Sequence, residues 1–118
     1  MKRVEKPWGH ELIWAVTDRY VGKLLHIKKG HSLSLQYHNK KDETVMVLKG
    51  KMAFEHYSDG EPPQTTELGP HEPFHITPLL RHRMTALEDT DIVEVSTTEL
   101  DDVVRLEDKY GRAGTSKP

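Results

Sequence analysis

The sequence predicts an all-β protein with the architecture of a jelly roll, a double-stranded β-helix barrel. Short runs rich in β-branched and aromatic residues follow one another at close spacing, as in strands of a sandwich or barrel. Turn-forming pairs such as Lys29-Gly30 and Lys49-Gly50 separate them. No helical period is evident before residue 99. Many short strands without helices between them favour a barrel or a double-sheet roll.

The strands can be assigned in order from these runs and turns. The first strand is HELIWAVT (10–17), and the second is YVGKLLHIK (20–28), which ends before Lys29-Gly30. The next strand, SLSLQYH (32–38), ends at the polar turn 39–42, and ETVMVLK (43–49) ends before Gly50. KMAFEHY (51–57) ends before the loop at Pro62-Pro63, and further strands are predicted at 73–77, 81–87 and 91–97. The segment 99–110 (ELDDVVRLEDKY) is predicted to hold a short C-terminal helix, and 113–118 to form a flexible tail. Residues 1–112 then make a single domain, because a chain of 118 residues encloses one core but not two.

The composition excludes several classes of function. Seventeen basic and 19 acidic residues nearly balance, so neither nucleic acid nor an anionic membrane is indicated as a partner. The absence of cysteine excludes a disulfide framework, a thiolate nucleophile and a cysteine-based metal site. The start, MKRVEKPWGHELIW, carries charges where a secretory signal needs an apolar run, and no run has the roughly 20 apolar residues of a membrane span. We therefore expect a cytoplasmic protein.

A metal site is predicted from the stretch Gly30–Gly50. Gln36 and His38 lie two residues apart, so their side chains leave the same face of an extended strand. The turn at 39–42 then brings Glu43 back over that strand, and His82 supplies a fourth ligand from later in the chain. Two imidazoles, a carboxylate and an amide oxygen suit one first-row divalent ion, with zinc, manganese, iron and nickel all open.

The same residues carry a resemblance to a known family. Gly30, Gln36-x-His38, Glu43 and Gly50 stand at the spacing of the first cupin motif, with a glutamine in place of its usual first histidine. Glu72–Ala86 (EPFHITPLLRHRMTA) resembles the second cupin motif, with His82 at its histidine and Thr77-Pro78-Leu79 at its usual proline-x-glycine turn.

Among cupins, the chain resembles most the C-terminal domain of type II mannose-6-phosphate isomerases. Three blocks carry this resemblance: Lys6–Gly9 (KPWG), Leu33–His38 (LSLQYH) and Asp102–Arg112 (DVVRLEDKYGR). The turn before and around the glutamate, which is rich in histidine in that family, here reads NKKDETV. The resemblance implies a jelly-roll barrel, a divalent metal and aldose–ketose isomerisation of a phosphorylated sugar of the mannose-6-phosphate/fructose-6-phosphate type.

An isomerase of this kind needs a base and a phosphate-binding cation. Glu43 or Lys23 could act as the base, and the sequence does not choose between them. Basic candidates for the phosphate are Lys23, Lys41, Arg81, Arg83, Arg105 and Arg112. The resemblance favours Arg112 and Lys23, whereas Arg81 and Arg83 flank His82 and so point away from the metal. His26 and His75 lie within strands and could line the cavity, while His10, His31, His56 and His71 are expected to be exposed.

Strand alternation also predicts an apolar outer surface. If Gln36 and His38 point inward, Leu33, Leu35 and Tyr37 point outward, and Met46 and Leu48 oppose Glu43 in the same way. An exposed apolar face needs a cover, and we expect a homodimer.

Three other functions fit parts of the pattern. A non-catalytic sugar- or small-molecule-binding cupin is compatible with the altered turn at 39–45. A cupin dioxygenase would usually present three histidines and a glutamate, which Gln36 disfavours. A metal-free epimerase would need a His–Asp pair and a tyrosine that the sequence does not place.

Overall fold

The computed structural model describes residues 1–111 and 114–115, and it confirms the all-β prediction. The described residues form twelve strands and no helix, so none of them makes a helix that could cross a membrane. The strands are β1 (Lys2–Lys6), β2 (Gly9–Val16), β3 (Val21–Ile27), β4 (Leu35–Tyr37), β5 (Glu43–Lys49), β6 (Met52–Tyr57), β7 (Gln64–Leu68), β8 (Pro73–Ile76), β9 (Arg81–Ala86), β10 (Thr90–Ser96), β11 (Val104–Glu107) and β12 (Gly114–Thr115).

The strands form two six-stranded antiparallel sheets. The first sheet has the order β1-β2-β3-β10-β5-β8, and the second has the order β12-β11-β4-β9-β6-β7. Each sheet mixes strands from distant parts of the chain, as the long connections of a jelly roll require. Two residues of the predicted metal site, Glu43 and His82, are therefore brought to facing sheets although 39 positions separate them in sequence.

The core fills the space between the two sheets. Strand alternation places Val45 and Val47 inside, on the same face of β5 as Glu43, as the sequence predicts. Phe54 of the second sheet meets Phe74 of the first, with ring centroids 4.1 Å apart. The buried apolar cluster consists of Trp8, Leu25, Ile27, Val45, Val47, Met52, Phe54, Leu68, Ile76, Met84, Ala86 and Ile92.

The corner between β1 and β2 shows why the Lys6–Gly9 block has its sequence. Trp8 is buried in the core, and its carbonyl accepts a hydrogen bond of 2.9 Å from the amide of Lys28. Gly9 follows with φ 153°, and a Cβ there would lie 1.9 Å from the carbonyl oxygen of His26. Only glycine lets the backbone approach β3 this closely.

Two local predictions are wrong. Residues 99–110 do not form a helix: Val103 and Arg105 are buried and alternate with more exposed neighbours, and β11 pairs with β4. Long-range pairing with period two thus overrides local helix preference. In the predicted strand 32–38, only Leu35–Tyr37 is a strand, and Leu33 packs against the core instead of pointing outward.

Candidate metal centre and its cavity

Three of the predicted metal ligands converge at one end of the barrel. The ligand atoms of His38, Glu43 and His82 all lie within 4.8 Å of one another. Glu43 Oε1 is 3.5 Å from His38 Nε2 and 3.9 Å from His82 Nε2. Each residue is no more than 3% exposed. These three residues could hold a metal ion.

Backbone carbonyls fix the tautomer of both histidines. His38 Nδ1 lies 2.6 Å from the carbonyl oxygen of Asp102, and His82 Nδ1 lies 2.9 Å from that of Leu80. A carbonyl only accepts hydrogen bonds, so each Nδ1 must carry the proton. The neutral form of such a ring has its lone pair on Nε2, the nitrogen that lies near Glu43 in both histidines. Hydrogen bonds of this kind orient metal-binding histidines in proteins.

The buried Nε2 atoms provide a test of whether the site fits a metal. Among the described residues, neither His38 Nε2 nor His82 Nε2 finds a hydrogen-bond partner, which is costly for buried polar atoms. Burial lowers the pKa of His82 to about 4, against the opposing effect of Glu43, so this ring is neutral near pH 7. Two lone pairs and a carboxylate oxygen at one point are the donor set of a divalent ion, and the residues fit it.

Gln36 lies on the same face as His82. The two residues are direct partners between β4 and β9, and Gln36 lines the cavity next to the three ligands. Its Oε1 accepts a hydrogen bond of 3.1 Å from Ser34 Oγ. A carbonyl oxygen has two lone pairs, so this contact leaves one for a cation. The geometry is compatible with the predicted fourth ligand.

Lys41 neutralises the carboxylate of the site. Its Nζ lies 2.8 Å from Glu43 Oε2 and 3.3 Å from Glu94 Oε2, and all three side chains are buried. Burial alone would lower the pKa of Lys41, but these two carboxylates raise it well above its ordinary value. Burial would raise the pKa of Glu43, but Lys41 and then His38 hold it well below its ordinary range. Glu43 is therefore a carboxylate whose two oxygens already face His38 and Lys41.

A polar cavity of about 50 Å³ adjoins the ligands. Lys23 Nζ and Glu11 Oε1 lie 3.5 Å apart within it, both buried. Arg105 also lines the cavity and is the direct partner of Gln36 between β11 and β4. Within the part of the chain that the structure describes, four cationic and three acidic side chains line it: Lys6, Lys23, Lys41, Arg105, Glu11, Glu43 and Glu94.

The segment that follows β10 closes one side of this cavity. The Asp102 carboxylate accepts hydrogen bonds from the amides of Asn39, Lys40 and Lys41, at 3.0, 2.6 and 2.9 Å. Although burial opposes it, these bonds lower the pKa of Asp102 to about 2. One residue thus fixes the turn that carries Lys41 and, through its carbonyl, the ring of His38.

Some predicted substrate residues are not brought to the cavity. His26 lies on the outer face of β3, where it stacks on His10 and pairs with Asp91 at 2.6 Å. His75 is exposed on β8 and lies 2.7 Å from Asp42. These two His–Asp pairs are of the type that an epimerase would need, but both lie outside the cavity. Arg112 lies outside the described residues.

Sequence reasoning missed several residues of the interior. Glu11 and Glu94 received no role, although each shares the inward face of its strand with apolar residues. His56 was expected to be exposed, but it is half-buried, stands directly opposite His82 and packs on Phe74. The signal for Glu94 was weak, because Val93 and Val95 make the opposite face of β10 equally apolar.

Comparison with known proteins agrees with this architecture. A cupin superfamily protein from Desulfitobacterium hafniense superimposes with a TM-score of 0.64 at 16% identity, covering 74% of each chain. KdgF from Halomonas sp. superimposes with a TM-score of 0.67 at 21% identity, covering 83% of this chain and 88% of its own. The fold is that of a cupin.

The sequence comparison then gives the family. Residues 1–108 match the family described as mannose-6-phosphate isomerase C-terminal, and the chain belongs to that family. It is 34% identical over 119 residues to the mannose-1-phosphate guanylyltransferase ManC of Salmonella typhimurium, covering 94% of this chain. The chain spans about a quarter, 23%, of the length of that relative.

Proposed function

We propose that this chain is a metal-dependent cupin that acts on a phosphorylated sugar and interconverts an aldose and a ketose of the mannose-6-phosphate/fructose-6-phosphate type. The observation that carries the proposal is the pair of buried, unpartnered Nε2 atoms of His38 and His82 facing Glu43 in a polar cavity. Family membership and the similarity to a mannose-1-phosphate guanylyltransferase support a sugar phosphate as substrate.

The charge of the cavity also supports an anionic substrate. The described residues that line it include four cationic and three acidic side chains, whose formal net charge is +1 without a metal. A divalent ion would bring this to +3, which favours a phosphorylated sugar over a neutral one. Arg105 lies among these residues, and a guanidinium can bind a phosphate with two parallel hydrogen bonds.

The chemistry divides between the metal and the chain. Held by His38, Glu43, His82 and Gln36, a divalent ion would supply Lewis-acid polarisation of the sugar carbonyl. Lys41 keeps Glu43 ionised and oriented, and the carbonyls of Asp102 and Leu80 keep both imidazoles aimed at the same point. The buried walls exclude bulk water from the reacting carbons, which strengthens these electrostatic contacts.

The proposal is tested by metal analysis of the purified protein, followed by an assay of fructose-6-phosphate and mannose-6-phosphate interconversion with the metal restored. We expect one divalent ion per chain and turnover that disappears in the double variant Gln36→Ala/His38→Ala. Unchanged turnover in a variant that has lost its metal would contradict the mechanism. A variant at exposed His71 serves as the matched histidine control.

A second candidate is a sugar-binding cupin without turnover. It is favoured by the ion pairing inside the cavity, where each lining carboxylate lies within 3.5 Å of a lysine Nζ. Such a network can hold a ligand without moving a proton. This candidate predicts saturable, metal-dependent binding of mannose-6-phosphate in calorimetry with no interconversion over hours.

A further inference from the structure

We propose that the carboxylate of Glu94 is the base that removes and returns the carbon-bound proton during isomerisation. This inference rests on the proposed function and concerns a residue whose role is not evident from the sequence. Of the two bases considered from sequence, Glu43 is one of the three residues that could hold the metal, and Lys23 lies on β3, one strand farther from the strand of Glu43 than Glu94 does.

The fold places Glu94 next to the metal centre without making it a ligand. Glu94 lies on β10, beside the strand that carries Glu43, and its side chain points inward with that of Ile92. It is 5% exposed and lines the cavity. Lys41 Nζ contacts both carboxylates, at 2.8 Å from Glu43 Oε2 and 3.3 Å from Glu94 Oε2. The distance between these two carboxylate oxygens therefore cannot exceed the sum of the two contacts.

The other acidic side chains of the cavity are less suited to the task. Glu43 is one of the three residues that could hold the metal, with one oxygen near His38 and the other near Lys41. Glu11 lies on β2, and β3 and β10 separate it from the strand of Glu43. The backbone of β2 therefore lies three strand spacings from that of β5, at about 4.8 Å each, whereas β10 lies one spacing away. Lys23, the other sequence candidate, lies on β3, two strands from β5.

The surroundings of Glu94 also favour a usable base. Burial is the largest cause that raises the pKa of Glu94, and the neighbouring charge of Glu43 raises it further. Lys41 and Lys23 act in the opposite direction. A carboxylate with a raised pKa accepts a proton from carbon more readily than one held far below its usual range. The pKa of Glu43 is shifted in the opposite direction.

The step balances without any further reactant. Glu94 takes the proton from C2 of the aldose, and the C–H electron pair forms the C1–C2 double bond while the carbonyl electrons move to O1. The proton on O2 passes to O1 as the carbonyl forms at C2, and protonated Glu94 returns its proton to C1. The carboxylate is regenerated, and nothing is oxidised or reduced overall.

The test compares Glu94→Gln, Glu94→Asp and Asp91→Asn with the wild type, all loaded with metal. Asp91 is the matched control because it lies on the same strand but faces outward. We expect Glu94→Gln to retain stoichiometric metal and to lose at least about 10²-fold in kcat with little change in KM. We expect Glu94→Asp, which keeps a carboxylate, to recover part of that loss, and Asp91→Asn to remain near the wild type.

Solvent-deuterium incorporation separates this inference from the proposed function. In D₂O, the wild type should label the sugar phosphate at C1 or C2, and Glu94→Gln should slow labelling as much as turnover. A metal-loaded Glu94→Gln variant with kcat within threefold of the wild type would overturn the role of Glu94 alone. Loss of metal from both Glu94 variants would assign it a structural role. A metal-loaded wild type with neither labelling nor turnover would overturn both proposals.

Discussion

At the scale of single residues, the candidate site depends on groups that are far away in sequence. The sequence alone predicts His38, Glu43 and His82 from their motif spacing, and the structure brings them together. It could not predict that the carbonyl of Asp102, 64 positions from His38, fixes the tautomer of that ring. Contacts of this kind depend on tertiary placement of a backbone atom, which leaves no mark on residue identity.

Replacing Asp102 tests whether this residue positions the site. Asp102→Ala removes the acceptor of three backbone amides in the turn that carries Lys41. Charged hydrogen bonds of this type contribute roughly 1.5–3 kcal/mol each, so we expect a measurable loss of stability. We expect metal affinity, measured by calorimetry, to fall about 10-fold, the lower end for residues that orient metal ligands, because the variant keeps the carbonyl that contacts His38 but loses the anchor of the turn. The neighbouring exposed Asp101→Ala is the control, and equal affinities for the two variants would contradict this role.

Burial of His82 predicts acid sensitivity of the metal-free protein. Its pKa is about 4 in the folded state, against 6.5 for an unperturbed side chain. Between these values the unfolded chain binds a proton that the folded chain does not, so the free energy of unfolding falls as pH decreases from 6.5 to 4. The expected loss is about 3 kcal/mol, and it ends below pH 4. Urea titrations of chelator-treated protein measure it, and a parallel pH dependence in His82→Asn would contradict the assignment.

At the scale of structural elements, the turn before β9 carries an unusual backbone conformation. Leu79 occupies the glycine position of the second cupin motif and has φ 72°, in the left-handed region. Its amide donates a hydrogen bond of 2.7 Å to the carbonyl of His38, which ties this turn to the metal-binding segment. A side chain in this conformation costs about 1–2 kcal/mol, and Leu79 is 63% exposed, so packing returns little of that cost.

We therefore expect Leu79→Gly to stabilise the protein. The gain should be about 0.5–1 kcal/mol, because glycine relieves the strain but adds conformational freedom to the unfolded chain. Leu79→Ala retains a Cβ and should show no gain, which makes it the matched control. Chemical denaturation of both variants measures the difference, and equal midpoints for Gly and Ala would contradict the strain.

The elements that the sequence fails to predict are those that depend on pairing. β5 and its inward face follow from alternation and the flanking turns, and they are correct to the residue. β1 is strongly charged and β7 is polar, so neither carries the apolar pattern of a strand, yet each pairs with a neighbour. The segment that leads into β11 has Leu100, Val103 and Leu106 three positions apart, a spacing that a helix could also use. Edge and closing strands are stabilised by partners that local sequence does not reveal.

At the scale of the whole molecule, the outer face of the first sheet carries an apolar row. Leu24, Val93 and Met46 are direct partners on adjacent strands, and they form a row across the sheet. Trp14 lies over Gly22 beside this row and is 52% exposed, as Val95 is at 48%. Because this apolar row is on the outside of the sheet, we still expect a homodimer, although Leu33 packs against the core and does not contribute to the outer surface. Charged residues of both signs, Glu5, Asp91 and Lys49, lie beside this apolar row. In a twofold dimer, acidic residues of one chain can face the basic residue of the other.

A charge introduced into this face tests the dimer. We expect light scattering to give the mass of two chains for the wild type and of one chain for Val93→Lys, because a buried lysine would oppose association. Ala53→Lys is the control, since Ala53 lies on the outer face of the second sheet. A monomeric wild type, or a Val93→Lys variant that stays dimeric, would contradict the expected interface.

The most direct test of the central claim is the metal content of the purified protein, measured together with that of His38→Ala and His82→Ala. We expect one divalent ion per wild-type chain and its loss from both variants, since each removes one of two Nε2 ligands. Folding of the variants is checked by circular dichroism. A wild type that binds no divalent ion, or variants that bind one as tightly, would contradict the metal centre on which both proposals depend.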